Sequence, residues 1–160
     1  MMLEKRFLVM SALAMAPPAA IAGRHEADSG AEISMPLAIS NVTPLHFGTL
    51  YPNQESPVTI SVKTSGVACD HPETMLSSDQ TPAEFSVSGR DGAVYTVQVP
   101  DDVLLTSQSG ATLVADLMPV GPGYLEDGVD SFFVGSSMVI PPRQATDSYI
   151  GTFMVTVAYQ

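Results

Sequence analysis

At 160 residues, with 45% hydrophobic and 14% charged side chains, the chain is sized for one domain and is too apolar to be disordered throughout. Its formal charge is −11, with 17 acidic residues against six lysines and arginines. So few cations exclude a nucleic-acid binder, which needs clustered Lys and Arg to neutralise phosphates.

Lys5 and Arg6 precede a mostly apolar run from Phe7 to Ala16, followed by Pro17, Pro18 and the small residues Ala19, Ala20 and Ala22. This order predicts a secretory signal peptide over residues 1–22, cleaved after Ala22. A bilayer span needs about 20 apolar residues, and the two prolines stop the run short of that. Cleavage removes Glu4, Lys5 and Arg6, a net +1, and leaves a charge of −12. No later stretch is long and apolar enough to insert in a membrane, so the expected product is exported. In an oxidising compartment the single Cys69 has no internal partner; it is either a buried small hydrophobe or an exposed thiol open to intermolecular pairing.

Residues 23–32 are polar, contain two glycines and show no periodic apolar face, so they read as a leader before a single domain at 33–160. In that domain Ile33, Met35, Leu37 and Ile39 alternate with smaller residues, the period of two that puts large side chains on one face of a strand. Leu45 and Phe47 share a face, and Tyr51 to Gln54 reads as a turn. Val58, Ile60 and Val62 form the next alternating set. Phe85 and Val87 follow, and Gly89 to Gly92 reads as the turn of a hairpin running on through Ala93 to Pro100. Thr112–Met118 and Ser131–Val134 are further strands, with Ser137–Ile140 continuing the second. The last strand has Tyr149, Gly151, Phe153, Val155, Val157 and Tyr159 on one face. Residues 66–83 and 119–130 read as long loops. About eight short strands and no amphipathic helix predict an all-β fold, an antiparallel immunoglobulin-like β-sandwich.

Catalytic chemistry has little support in the residue pattern. His25, His46 and His71 sit in no recognisable catalytic motif. Cys69 and His71 lie within a run of metal-ligand types, but a complete site lacks further ligands at a suitable spacing. Glu126, Asp127 and Asp130, or Asp101 and Asp102, offer oxygen ligands without the acidic spacing of a calcium loop. The expectation is therefore a non-enzymatic protein without a cofactor or metal. Asn41-Val-Thr43 is a formal glycosylation sequon, relevant only to a eukaryotic secretory route.

Pro36 to Ile39 leading to Leu45-His-Phe-Gly48, Phe85 to Gly89 with Tyr95 to Pro100, and Phe133 to Gly135 through Tyr149 to Gln160 resemble an uncharacterised family of small bacterial secreted domains with pilin-like character. The resemblance spans nearly the whole chain after residue 22. Fimbrial subunits, to which that family is similar, end in alternating apolar residues with a penultimate aromatic, as Phe153, Val155, Val157 and Tyr159 do here. Many such subunits carry an internal disulfide, which this chain does not. The resemblance implies a pilin-like sandwich lacking one strand, whose groove is filled by the N-terminal extension of the next subunit, main chain to main chain. Ile33, Met35, Leu37 and Ile39 are then the donor residues, and the C-terminal strand is the edge offered to a chaperone or donor. Four such side chains, at roughly 1.5–3 kcal/mol each, supply on the order of 6–12 kcal/mol before ordering costs. The same residues equally suit the first strand of their own sandwich.

The function implied is a structural subunit of a bacterial surface fibre, a pilus or fimbria serving cell adhesion. Its partners would be other subunits, a periplasmic chaperone and an outer-membrane usher, on a route through the periplasm to the cell surface. The alternative is a self-contained secreted binding module that recognises a glycan, ion or host protein through residues 66–83 or 119–130.

Overall fold

The computed structural model describes residues 35–160. The expected signal peptide over 1–22, the leader over 23–32 and the candidate donor Ile33 lie outside the described residues.

Among the described residues twelve strands are formed: β1 (Ala38–Thr43), β2 (Val58–Lys63), β3 (Gly66–Cys69), β4 (Ala83–Ser88), β5 (Val94–Gln98), β6 (Asp102–Ser107), β7 (Thr112–Leu117), β8 (Gly123–Tyr124), β9 (Val129–Val134), β10 (Ser136–Ile140), β11 (Tyr149–Ile150) and β12 (Thr156–Tyr159). One 3-10 turn at Pro72–Thr74 is the only helical element among the described residues. The fold is thus all-β, and every pairing between these strands is antiparallel.

Three sheets result, with orders β1-β4-β9, β11-β6-β7-β10-β2-β3 and β12-β5-β8. Strand alternation decides which side chains each sheet turns inward. β7 shows it most regularly: Leu113, Ala115 and Leu117 are buried and Thr112, Val114 and Asp116 are exposed. Val58, Ile60 and Val62 of β2 are fully excluded from water, and removing each from solvent contributes about 1.5–3 kcal/mol. They join Val87, Tyr95, Phe132 and Val134 in one core cluster to which all three sheets contribute.

The structure corrects several readings of the sequence. β4 and β5 do not form a hairpin; β4 pairs with β1 and β9, while β5 pairs with β12 and β8. The Gly89–Ala93 turn instead bonds to another loop, Gly89 N–H to the Gly128 carbonyl at 2.9 Å and Gly92 N–H to the Leu125 carbonyl at 2.8 Å, and delivers the chain to a different sheet. Residues 66–83 are not all loop, because Gly66–Cys69 folds back on β2 as β3. Within 119–130, Gly123–Tyr124 forms β8, and Val129 opens β9. β9 and β10 belong to different sheets and meet at Gly135. The last strand is interrupted: β11 pairs with β6, β12 pairs with β5, and residues 151–155 between them pair with neither. Gly151 is required at this crossing, since a Cβ there would lie 2.5 Å from the Leu104 carbonyl oxygen.

Candidate functional site

The C-terminal segment keeps its alternation across the interruption. Phe153 and Val155 are half-buried, whereas Thr152 and Met154 are exposed, Met154 at 80%. The backbone of residues 151–155 makes no hydrogen bond to any described residue. Main-chain groups in this state are a template for pairing with another strand. β12 continues the same condition on its outer side, having β5 as its one partner among the described strands.

Facing this segment is the edge formed by β1 and residues 44–52. β1 pairs only with β4 among the described strands, in a register that sets Ile39 opposite Val87, with a bulge at Asn41–Thr43 that leaves Val42 exposed. The Asn41 side-chain amide donates to the Thr43 and Glu84 carbonyls and holds that bulge. The two edges run in opposite directions. At one end the Tyr159 hydroxyl donates to the Met35 carbonyl (2.9 Å) and accepts from the Arg90 N–H (2.8 Å), with the Arg90 guanidinium 5.8 Å from the ring centroid. At the other end Asn41, Pro44 and Leu45 face Thr152 and Phe153 across a cavity of about 220 Å³. No ladder joins the two edges among the described residues.

A larger cavity of about 670 Å³ lies on the other side of Pro44 and Leu45, which line both. Its floor is the inner face of the six-stranded sheet, with Leu105, Leu113, Met138 and Ile140. One wall is the strap at 44–52, held by a bridge in which His46 and Thr81 exchange N–H···O bonds of 2.9 and 3.0 Å, and by Leu76 N–H to the Thr49 carbonyl. Ser77 stiffens it by accepting from the Thr49 N–H and donating to the Asp79 carboxylate. That hydrogen bond is the main cause holding the Asp79 carboxyl below the usual aspartate range. The opposite wall is residues 144–151. Asp147 fixes it by accepting from the N–H groups of Ser148 (2.8 Å) and Ser109 (3.1 Å), and these bonds lower its pKa. Tyr149 completes the wall, its hydroxyl donating to the Ala145 carbonyl and accepting from the Gln144 amide. The floor behind Phe153 is aromatic: Phe153 stands edge-on to Phe85 at 6.4 Å, and Phe85 stacks on Phe132 at 5.4 Å.

The structure thus assembles, from residues far apart in sequence, two neighbouring cavities, one between the β1 edge and the C-terminal run and one with an apolar floor and largely polar walls; together they form the groove. Of the candidate donors, Met35 is exposed at 60%, while Leu37 and Ile39 are half-buried against the chain's own core. Phe153, Val155, Val157 and Tyr159 all pack on the same core from the facing edge. The strap and the 144–151 wall carry no sequence signal that marks them as parts of a groove.

A second constellation was also invisible in the sequence. His71 Nδ1 lies 2.9 Å from Glu73 Oε1, and His71 Nε2 lies 3.3 Å from Ser56 Oγ, the order of an acid–base–nucleophile relay. The nearby N–H groups of Glu55 and Ser56 are both taken by Asn53 Oδ1, and Pro57 has none, so the site offers no donors for an oxyanion at these residues. Cys69, opposite Ile60 in the ladder, is half-buried with its sulfur 4.0 Å from Thr74 Oγ1. No group of three or more His, Cys, Asp and Glu residues able to hold a metal occurs among the described residues.

These features define an all-β domain with a groove beside an unpaired C-terminal run. Residues 37–159 match the family described as a domain of unknown function, DUF4402, and the chain belongs to that family. No curated protein and no solved structure matches the chain.

Proposed function

We propose that the chain is a non-enzymatic structural subunit of a bacterial surface fibre, an immunoglobulin-like sandwich of pilin type whose C-terminal edge accepts a strand from another copy or a related subunit. The observation that carries this reading is the run 151–155, whose side chains alternate as in a strand while its backbone bonds to nothing described. An inserted strand would pair with that backbone and place every second side chain in the groove floored by Leu105, Leu113, Met138 and Ile140.

Polarity supports the same reading. The chain enters the described domain at Met35, beside Tyr159, whereas the wide part of the groove surrounds Tyr149–Gly151. The eight steps along the chain from Gly151 to Tyr159 span up to ~26 Å at ~3.3 Å per residue. Donor and acceptor features therefore lie toward opposite ends, which suits head-to-tail addition and an open polymer rather than a closed dimer. The donor is the alternating segment Ile33, Met35, Leu37 and Ile39 of the neighbouring copy. Transfer of all four requires β1 to leave β4, because Leu37 and Ile39 already rest on their own core. Before assembly a periplasmic chaperone fills the groove, and an outer-membrane usher exchanges it for the donor.

Deleting residues 23–36 leaves β1 whole. The expected outcome is a folded monomer that no longer polymerises but still takes up a synthetic peptide of residues 31–40, read as hydrogen-exchange protection of residues 151–155. Polymers that survive the deletion, or a peptide that leaves those amides unprotected, would sink the reading.

A further inference from the structure

Within the described domain, the residues up to Pro57 lie on the core and those after it supply the core. No residue from 35 to 57 is buried, and the buried core starts at Val58. β1 is the clearest case. Of its six residues only Ile39 and Thr43 are even half-buried, whereas β9, on the other side of β4, buries Phe132 and Val134. Detaching β1 therefore uncovers Val87, opposite Ile39, without pulling any buried side chain out of the core.

Few contacts hold this segment. At one end the Met35 carbonyl accepts from the Tyr159 hydroxyl, and Leu37 lies against Gly89. The β4 ladder becomes irregular beyond Asn41, where the Asn41 amide spans the bulge by donating to the Thr43 and Glu84 carbonyls. At Pro44 the attachment changes. The Pro44 carbonyl accepts from the Thr81 hydroxyl at 3.2 Å, and the paired His46–Thr81 main-chain bonds follow two residues on, so the strap is fastened independently of β1. Residues 35–43 thus have one partner strand among those described, no buried side chain and a fixed pivot where they end.

Regions with few buried contacts open at a lower free energy than the core around them. We propose that residues 35–43 open from β4 as a unit while the rest of the domain stays folded, and that this opening is a latch controlling assembly. Closed, β1 covers Val87 of its own copy, which favours the closed form. Open, it frees Leu37 and Ile39 for a neighbouring copy. Assembly then draws only on the open fraction, and its apparent affinity falls in proportion to that fraction. The control of assembly rests on the strand-donation reading; the opening itself does not.

Native-state hydrogen exchange of the full chain reads the opening directly. Amides in the β1–β4 ladder should exchange ~100-fold or more faster than those in the β4–β9 ladder, with a weaker dependence on denaturant. Equal rates in the two ladders, meaning that only whole-domain unfolding releases β1, would overturn the proposal whatever the chain assembles into. A disulfide tests the control of assembly. Ser40 and Ser86 are opposite each other in the β1–β4 ladder, so Ser40→Cys with Ser86→Cys, in a Cys69→Ser background that removes the third thiol, can be locked shut. Sedimentation of the oxidised protein should show a folded monomer with its β4–β9 protection intact, and reduction should restore the polymer. Polymer formed with the lock closed would overturn the latch and leave strand donation standing, with a donor that ends before β1. Failure of both the reduced variant and the wild type to polymerise would remove strand donation itself, and the latch with it.

Discussion

β2 and the C-terminal run 151–155 have the same pattern, apolar residues alternating with small polar or flexible ones, but reach different ends. Val58, Ile60 and Val62 are wholly buried, and β2 is paired on both sides, with β3 and β10. Phe153 and Val155 are only half-buried, and their backbone has no neighbour among the described strands. Alternation determines which side of a strand turns inward; how far it is buried depends on what the rest of the chain places beside it. The difference separates a region that holds the fold together from one left open to pairing.

The largest expected effect is in β2. Ile60→Ala should cost about 2–5 kcal/mol in denaturant unfolding, through lost burial and the cavity left behind. Val155→Ala, at the open edge, should cost well under half of that. Equal losses at the two sites would erase the contrast.

Tyr95 sharpens it from the core side. Its hydroxyl donates to Asp130 Oδ2 at 2.8 Å, and Gly123 packs so close to the ring that any Cβ there would overlap it. Gly123→Val should therefore destabilise by about 1–3 kcal/mol through overpacking. Burial, then the Asp130 hydrogen bond, push the Tyr95 phenol above the ordinary tyrosine value. A raised folded-state pKa means that this stabilisation is complete below the unfolded value of about 10 and is lost as pH rises toward the folded one. Melting temperature against pH from 8 to 12 should fall less steeply in Tyr95→Phe.

At the open edge, Tyr159→Phe removes the hydroxyl shared by Arg90 N–H and the Met35 carbonyl, a loss of about 1 kcal/mol. Faster exchange of the Arg90 amide would accompany it; unchanged exchange would mean that the tether does not hold in solution.

The smallest effect is expected in the groove walls. Asp79 and Asp147 have lowered pKa values, chiefly from the Ser77 hydroxyl and the Ser148 N–H. A depressed carboxylate stabilises above its unfolded value and loses that contribution as pH falls through the folded one, so the walls should loosen below about pH 4. Asp147→Asn should mimic this locally, raising proteolytic cutting at 144–148 without moving the unfolding midpoint.

Much of the strand content could be read from sequence, because β2, β4, β5 and β7 show period-two alternation. β6 could not: Leu104 and Leu105 are adjacent and Asp101-Asp102 precede them, so no alternation stands out although Val103 and Ser107 are buried. Partner choice was also hidden. A turn such as Gly89–Gly92 marks where a chain reverses, but which edge then receives β5 is set by β8 and β12, thirty and sixty residues further on. The groove was illegible for the same reason, since its walls and floor come from four separated segments that share no motif. The C-terminal residues of the candidate site were recognisable from their alternation, while the strap and the Ser56–His71–Glu73 relay emerge only in three dimensions.

Gly135 alone carries the chain from β9, in a three-stranded sheet, to β10, in the six-stranded one. It is buried, its carbonyl accepts from Met118 N–H at 2.9 Å, and a Cβ would lie 2.9 Å from the Val62 carbonyl oxygen. A one-residue joint leaves no slack, so neither sheet can shift register or peel away without dragging the other. Melting should therefore be a single all-or-none event that both sheets undergo at the same temperature.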